Sequence, residues 1–234
     1  MPTAPVNGIT MYYEIHGTGR PVVMIGGLGG DLSLLARSTR DLARHRQVIV
    51  FDNRGAGRTD QPDAPYSIPL MTEDTVGLMD GLSIERADIL GISMGGRIAL
   101  ELALTHPSRV RRLVLVSTSA AGRGKVHMSV PMRLMWLVQW LPWMRGRYPQ
   151  QEHAHRRQRE ATVSYDARDR VGRIAVPTLI LHGRRDRTIP LAMAEELHAA
   201  IEGSRLEVFR GGHLFSFLGE RRRFVARVDD FLDG

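Results

Sequence analysis

Residues 87–104 read ADILGISMGGRIALELAL. The first part, residues 87–90, is a short apolar run that predicts a buried strand, and the last part has the composition of a helix. Ser93 lies on the turn between them, with Gly91 and Gly95 two positions to either side. A nucleophile on a sharp strand-to-helix turn needs such small neighbours, because the backbone is strained there and nearby chain packs closely. The stretch therefore predicts a nucleophilic serine at the end of a strand, the alternative being an ordinary tight turn.

A serine hydroxyl needs a general base to remove its proton, and that base needs an acid to orient it. Asp186 follows the apolar run 178–181, and His213 follows the run 206–209. Enzymes that carry a nucleophilic serine on this kind of turn typically have their three catalytic residues in the chain order Ser, Asp, His. We therefore predict that His213 is the general base and that Asp186 orients it. The other histidines, including His182 at the end of a strand, are expected to have structural or surface roles.

Catalysis of this kind also needs backbone amides that stabilise a developing oxyanion. One amide is expected from Met94, because the helix after Ser93 points its N-terminal amides towards the serine oxygen. The other is assigned to Leu28, in the glycine-rich loop IGGLGGD at residues 25–31. This loop lacks the lysine and the serine or threonine of a phosphate-binding P-loop, and it does not match G-x-G-x-x-G. Nucleotide binding is therefore not expected.

The chain alternates short apolar or β-branched runs with amphipathic segments of helical length, which predicts an α/β fold with a parallel sheet between helices. Its 234 residues favour one globular domain. The predicted strands are residues 10–15, 22–25, 48–51, 87–90, 112–116, 178–181 and 206–209. The predicted helices are residues 31–43, 68–82, 94–105, 191–201 and 220–232.

Five segments together resemble the α/β-hydrolases, in particular the branch of small esterases, enol-lactonases and C–C hydrolases. The resemblance implies an α/β-hydrolase fold, with a mostly parallel sheet of about eight strands flanked by helices. It also implies a core of residues 1–118 and 171–234, with a short helical cap at residues 119–170. The segments are FDNRGAGRTD at 51–60, LGISMGG at 90–96, HPSRVRRLVL at 106–115, VPTLILHG at 176–183 followed by Asp186, and GGH at 211–213.

The chain departs from this family in the glycine-rich loop. Relatives usually carry His-Gly before the oxyanion residue, whereas this chain has Gly26 and Gly27. An imidazole that helps to fix the loop is therefore absent. Arg54, in the segment DNRG, is expected to stabilise loops around the site and to take no part in the chemistry.

The predicted cap contains all three tryptophans of the chain. Packing of the cap onto the core is the favoured role for these side chains. The alternative is that they form the wall of an apolar acyl or alkyl pocket, with Trp136 and Trp140 as substrate-binding residues. Both roles can hold for different residues.

The predicted reaction is hydrolysis of a small-molecule carboxylic ester, by a carboxylesterase or lactonase, through an acyl-enzyme on Ser93. It requires no cofactor and no metal. C–C bond hydrolysis of diketone ring-cleavage products is the second possibility and cofactor-free perhydrolase activity is the third, because specificity within this fold lies in the cap. The non-enzyme alternative is a ligand-binding protein that retains the triad.

The composition argues against several other classes of partner. The formal charge is +7, but the positive charge is scattered arginine without interleaved aromatic residues, so nucleic acid is not an expected partner. The absence of cysteine excludes disulfides and thiolate metal sites. No secretory signal is recognisable, and the apolar stretch 130–144 is interrupted and too short to span a bilayer. We expect a cytoplasmic protein without stable membrane insertion, of an oligomeric state that the sequence does not specify.

Overall fold

The computed structural model describes residues 2–122, 147–148, 150–216 and 219–234. In these ranges the chain forms an eight-stranded sheet with α-helices on both faces. The strands are β1 (Thr3–Val6), β2 (Ile9–His16), β3 (Pro21–Ile25), β4 (Gln47–Phe51), β5 (Ala87–Ile92), β6 (Val110–Val116), β7 (Thr178–Gly183) and β8 (Arg205–Phe209). The helices are α1 (Ala36–Leu42), α2 (Ile68–Gly81), α3 (Met94–Thr105), α4 (Glu152–Ser164), α5 (Leu191–Ala200) and α6 (Arg221–Asp233).

The strands lie in the order β1-β2-β4-β3-β5-β6-β7-β8. β2 pairs antiparallel with both β1 and β4, and all pairs from β4 to β8 are parallel. The mostly parallel sheet of about eight strands that the resemblance implies is therefore confirmed.

Both faces of the sheet are covered, which is why its central strands read as nearly continuous apolar runs. Alternate side chains of a strand point to opposite faces. In β3, Val23 and Ile25 belong to the core that packs under α2, α3 and α5, whereas Val22 and Met24 belong to the core under α1 and α6. Each parallel strand thus contributes to two cores at once.

The predicted triad and the loop predicted to supply an oxyanion amide follow the carboxyl ends of parallel strands. β3 is followed by the glycine-rich loop, β5 by Ser93, β7 by the loop with Asp186, and β8 by the loop with His213. Because parallel strands end at the same edge of a sheet, these loops meet there, as ligand sites do in other open α/β sheets.

The structure corrects three details of the predicted elements. β1 was not predicted, because it is short and contains Pro5, which an edge strand tolerates. The helix predicted at 31–43 begins as a 3₁₀ turn (Leu32–Leu35), which Asp31 caps by accepting a hydrogen bond from the Ser33 amide. Within the segment where no strand was predicted, Ala121 forms an isolated bridge with Asp166.

The predicted cap at 119–170 is described only in part. Helix α4 lies within it, and residues 123–146 and 149 lie outside the described residues. Trp136 and Trp140 are among the latter, so their assignment to the substrate pocket and the boundaries of the cap stay predictions. No helix in the described ranges is long and apolar enough to cross a membrane.

Helix α6 is anchored to the sheet by an apolar face and by a buried cation. Phe224, Val228 and Phe231, spaced four and three positions apart, are buried on one face of the helix. The guanidinium of Arg46, which is only 2% exposed, bonds Asp229 through Nε at 3.2 Å and Asp233 through Nη2 at 2.6 Å. These contacts attach the last helix to the amino end of β4, at the edge of the sheet opposite to the one that carries His213.

Candidate active site

Ser93 is the single residue between β5 and α3, and its backbone has φ 56° and ψ −114°. A non-glycine residue at positive φ costs about 1–3 kcal/mol, so surrounding contacts must maintain this conformation. The Ser93 amide donates to the carbonyl of Val116 at 2.9 Å, and the Thr118 hydroxyl donates to the Ser93 carbonyl at 2.8 Å. The strained turn is therefore fixed by the end of the neighbouring strand β6 and by the residues that follow it.

The glycines on either side of Ser93 are required by close approach of the backbone. A Cβ atom on Gly91 would collide with the carbonyl oxygen of Gly95. A Cβ atom on Gly95 would collide in turn with the carbonyl oxygen of Ile25, at the end of β3. The spacing seen in the sequence thus allows helix α3 to start directly beside the glycine-rich loop.

Ser93, His213 and Asp186 are brought together in one hydrogen-bonded series. The Oγ atom of Ser93 lies 3.0 Å from Nε2 of His213, and Nδ1 of His213 lies 2.7 Å from Oδ2 of Asp186. Asp186 is buried, whereas the His213 side chain is 19% exposed. The three residues that the sequence singled out therefore adjoin one another, although Ser93 and His213 are 120 positions apart.

The chemistry of the acceptors determines which nitrogen of His213 carries the proton. An ionised carboxylate only accepts, so Nδ1 of His213 donates to Asp186. Nε2 is then unprotonated and accepts from the Ser93 hydroxyl. This is the tautomer that a general base needs to remove the serine proton.

Asp186 is held by the backbone of its own loop. Its second oxygen, Oδ1, accepts from the amides of Thr188 at 2.8 Å and Ile189 at 2.9 Å. The fully buried His182 bonds the carbonyl of Ile189 through Nε2 at 2.8 Å, and the same nitrogen lies 3.4 Å from Asp186 Oδ2. His182 thus has the structural role expected for it, since it fixes the loop that carries Asp186.

We expect the free energy of unfolding to decrease as the pH falls from about 7 to about 5. Burial lowers the pKa of His182 below its ordinary value of 6.5, with a further lowering by His213 that Ile189 and Asp186 partly oppose. The unfolded chain therefore binds a proton near pH 6.5 that the folded chain binds only at lower pH. Each such group contributes a slope of at most about 1.4 kcal/mol per pH unit.

Urea titrations at several pH values can isolate this effect with His182→Gln. Glutamine retains a donor for the Ile189 carbonyl but does not titrate, so the variant should lose less stability between pH 7 and pH 5 than the wild type does. Other buried titratable groups are common to both proteins and contribute to both pH slopes. One of them is Asp88, because its burial raises the pKa of its carboxyl group. Identical pH slopes for the two proteins would contradict the assignment.

The two residues predicted to supply oxyanion amides lie in segments that adjoin Ser93. Met94 is the first residue of α3, where the backbone amide has no partner within the helix. Leu28 lies in the glycine-rich loop, partly buried against the core. A Cβ atom placed on Gly27 would lie 3.4 Å from Cβ and 4.0 Å from Oγ of Ser93, so this loop passes directly beside Ser93.

Two residues that sequence reasoning missed hold this loop in place. The side-chain amide of Asn53 donates to the carbonyl of Gly26 at 3.0 Å. The side chain of Gln158, on α4, accepts from the amide of Gly29 at 3.0 Å. Asn53 could have been noticed in the segment DNRG, whereas nothing in the sequence around Gln158 signals this role.

Arg54 has the structural role that the sequence suggested. Its guanidinium bonds both carboxylate oxygens of Asp74, at 2.7 Å and 2.6 Å, and the carbonyl of Asn7 at 3.1 Å. Both charged side chains are buried. The pair fixes the loop after β4. The backbone carbonyl of Arg54, in the same loop, also accepts a hydrogen bond from the side chain of Gln158 at 2.8 Å.

The described part of the chain contains no group of three or more histidine, aspartate, glutamate or cysteine side chains placed to hold a metal ion. The family model of the alpha/beta hydrolase fold matches residues 20–165. The chain belongs to the α/β-hydrolase family. As a member of this family, it is a hydrolase.

Several relatives of this α/β-hydrolase match it over nearly their whole length. A putative carbamate hydrolase, RutD, of Azorhizobium caulinodans is 31% identical over 92% of this chain and 92% of its own. The 2-hydroxy-6-oxo-2,4-heptadienoate hydrolase of Pseudomonas putida is 33% identical over 96% of this chain and 93% of its own. The crystal structure of an enol-lactonase from Burkholderia xenovorans superposes with a TM-score of 0.91 at 29% identity, over 100% of both chains.

Proposed function

We propose that this α/β-hydrolase cleaves carboxylic esters or lactones through an acyl-enzyme intermediate on Ser93. The observation that carries the proposal is the series from Ser93 through His213 to Asp186, with separations of 3.0 Å and 2.7 Å. A serine whose hydroxyl bonds an oriented, unprotonated imidazole nitrogen is equipped to attack a carbonyl carbon. The substrate in this proposal is a small-molecule ester.

In the first half-reaction, Ser93 Oγ attacks the carbonyl carbon while Nε2 of His213 takes the hydroxyl proton. The carbonyl oxygen becomes an oxyanion, and the resulting imidazolium is stabilised by the buried Asp186. When the tetrahedral intermediate collapses, the bond to the leaving oxygen breaks and His213 returns the proton to that oxygen. An alcohol leaves, or the lactone ring opens, and the acyl group stays on Ser93.

In the second half-reaction, water replaces the alcohol. Nε2 of His213 removes a proton from the water as its oxygen attacks the acyl carbon, and a second tetrahedral intermediate forms. Its collapse breaks the bond to Ser93 Oγ, which regains the proton from His213. The carboxylic acid product then leaves, and the enzyme is restored.

The amides of Met94 and Leu28 are proposed to bind the oxyanion in both steps. Support comes from the position of Met94 at the first turn of α3 and from the glycine-rich loop beside Ser93. Donors that are already in place cost no reorganisation when charge develops, which makes this kind of stabilisation effective. Residues 119–170 are proposed to form a cap over this site, with Trp136 and Trp140 against the substrate.

C–C bond hydrolysis of diketone ring-cleavage products is the second candidate function. The observation that favours it is the 33% identity to the P. putida hydrolase, whose name specifies a 2-hydroxy-6-oxo-dienoate. The similarity to the enol-lactonase structure extends over the whole of both chains and favours the first candidate. The triad is common to both reactions, so substrates must distinguish them.

The first candidate is tested with p-nitrophenyl esters of increasing acyl length, together with an enol-lactone and a vinylogous diketone. We expect steady turnover of esters with a maximum at one acyl length. Mass spectrometry of the quenched reaction should show the mass of the acyl group added to the peptide that contains Ser93. Turnover of the diketone alone would favour the second candidate, and binding without turnover of any compound would favour a ligand-binding protein.

A further inference from the structure

Gln158 is a neutral polar side chain that is completely buried between α4 and the core domain. Its exposure is 0%. The oxygen and the nitrogen of its side-chain amide each form a hydrogen bond with a backbone atom in a loop of the core. Oε1 accepts from the amide of Gly29 at 3.0 Å, and Nε2 donates to the carbonyl of Arg54 at 2.8 Å. Gln158 therefore connects the glycine-rich loop after β3 to the loop after β4.

The orientation of this amide is dictated by its partners. A backbone N–H can only donate and a backbone carbonyl can only accept, so Oε1 must face Gly29 and Nε2 must face Arg54. A carboxylate at this position could satisfy Gly29 but would place a second acceptor against the Arg54 carbonyl. An apolar side chain would leave both backbone groups unpaired in a buried place.

The loop that Gln158 contacts is the one that lies against the nucleophile. Gly29 is the residue after Leu28, and Gly27 lies beside Ser93. At its other end, the loop is held by Asn53, which bonds the Gly26 carbonyl at 3.0 Å. The Leu28 amide therefore lies between two hydrogen-bonded positions of the loop, Gly26, which is bonded by Asn53 of the core, and Gly29, which is bonded by Gln158 of α4.

We propose that Gln158 is a positioning residue that holds the Leu28 amide at the oxyanion site by joining Gly29 to Arg54. The proposal rests on the proposed function, because it presupposes an oxyanion at Ser93. Gln158 acts through the loop and is not required to contact substrate. It makes correct placement of an oxyanion donor depend on how α4 packs against the core.

Residues that precede α4 also form hydrogen bonds with the loops after β3 and β4. The side-chain amide of Gln150 donates to the carbonyl of Gly55 at 2.5 Å. The backbone amide of Tyr148 donates to Oδ2 of Asp31, just past the glycine-rich loop, at 2.7 Å. The segment that contains α4 is therefore hydrogen-bonded to the loop after β3 and to the loop after β4. Gln158 is the fully buried residue through which it contacts Gly29.

The first test compares Gln158→Leu with the wild type and with the control Gln151→Leu. Gln151 is exposed and its side chain makes no cap bond at the start of α4, so the control makes the same chemical change without the two buried bonds. We expect Gln158→Leu to lower kcat by about 10- to 100-fold with KM within about 3-fold, because oxyanion stabilisation acts on the transition state. The control should stay within about 2-fold of the wild type.

A trifluoromethyl ketone separates this role from a merely structural one. It adds to Ser93 Oγ as a hemiketal whose oxygen occupies the oxyanion site, whereas the parent hydrocarbon ketone binds without that charge. Gln158→Leu should weaken binding of the trifluoromethyl ketone by the factor lost in kcat/KM and leave binding of the parent ketone unchanged. Equal weakening of both compounds would overturn the proposal.

Gln158→Glu keeps the size of the side chain and provides a test that does not depend on the leucine variant folding. When protonated, the new carboxyl group can accept from Gly29 and donate to Arg54, and when ionised it can only accept. Its activity relative to the wild type should therefore decrease as the pH rises from about 5 to about 9, with burial raising the pKa of that carboxyl group. A ratio that is independent of pH would overturn the proposal.

Failure of this inference differs from failure of the proposed function. If the wild type neither turns over esters nor binds the trifluoromethyl ketone, both are overturned. If the wild type is active and both Gln158 variants match it, only the positioning role is overturned.

Discussion

Replacement of Ser93 by alanine is expected to lower kcat for the best ester substrate by about 10⁵- to 10⁶-fold. The variant lacks the oxygen that forms the acyl-enzyme, and the neighbouring groups can only assist direct attack by water. Folding should be unaffected or slightly improved, because alanine removes only a hydroxyl group. Activity is measured under single-turnover and steady-state conditions, together with thermal unfolding.

Ser108→Ala is the matched control for this variant, since Ser108 is exposed in the turn after α3. It should retain the activity of the wild type. The acyl adduct should be absent from Ser93→Ala and present in the control. An adduct that persists on the alanine variant would show that another residue is the nucleophile.

Asp186→Asn is expected to lower kcat by about 10⁴-fold without unfolding the protein. The asparagine oxygen can still accept from the Thr188 and Ile189 amides, so the loop is retained. Its NH₂ group then faces Nδ1 of His213, which must accept. The proton consequently moves to Nε2, and His213 can no longer take the proton of Ser93.

Nitrogen NMR of labelled His213 can observe this tautomer directly, which kinetics alone cannot do. In the wild type, Nδ1 should carry the proton near neutral pH, and in Asp186→Asn the proton should be on Nε2. Asp169→Asn, an exposed change of the same kind, serves as control. Loss of activity with an unchanged tautomer would contradict this explanation of the role of Asp186.

The sequence predicted the features that local patterns specify. Buried parallel strands such as β5 and β7 read as apolar runs because both faces are covered. Ser93 can be predicted as a candidate nucleophile because the strained turn excludes Cβ atoms on Gly91 and Gly95, which leaves a recognisable spacing. His213 and Asp186 are predicted because each follows an apolar run and because the chain order Ser, Asp, His is typical of this turn.

The features that were missed depend on contacts between distant parts of the chain. Gln158 forms hydrogen bonds with Gly29 and Arg54, which are 129 and 104 positions away in the chain. No periodicity or motif in the sequence predicts such a contact. β1 was missed because its four residues form a strand only by pairing with β2. Long-range partners of this kind are set by the tertiary structure and leave little trace in local composition.

The place of β8 in the sheet determines how His213 responds to partial unfolding. In the described part of the chain, β8 pairs with β7 alone, and its far side is the end of the sheet. Terminal strands open at a lower free energy than central ones. Detachment of β8 and α6 would carry His213 away from Ser93 while β3 to β7 stayed paired. Phe209 and Phe215, which stack with ring centroids 4.3 Å apart, would move together with this unit. The bonds of Arg46 to Asp229 and Asp233, in contrast, join α6 to the residue before β4. We therefore expect these ion pairs to affect the functional lifetime of the protein under stress more directly than its central strands do.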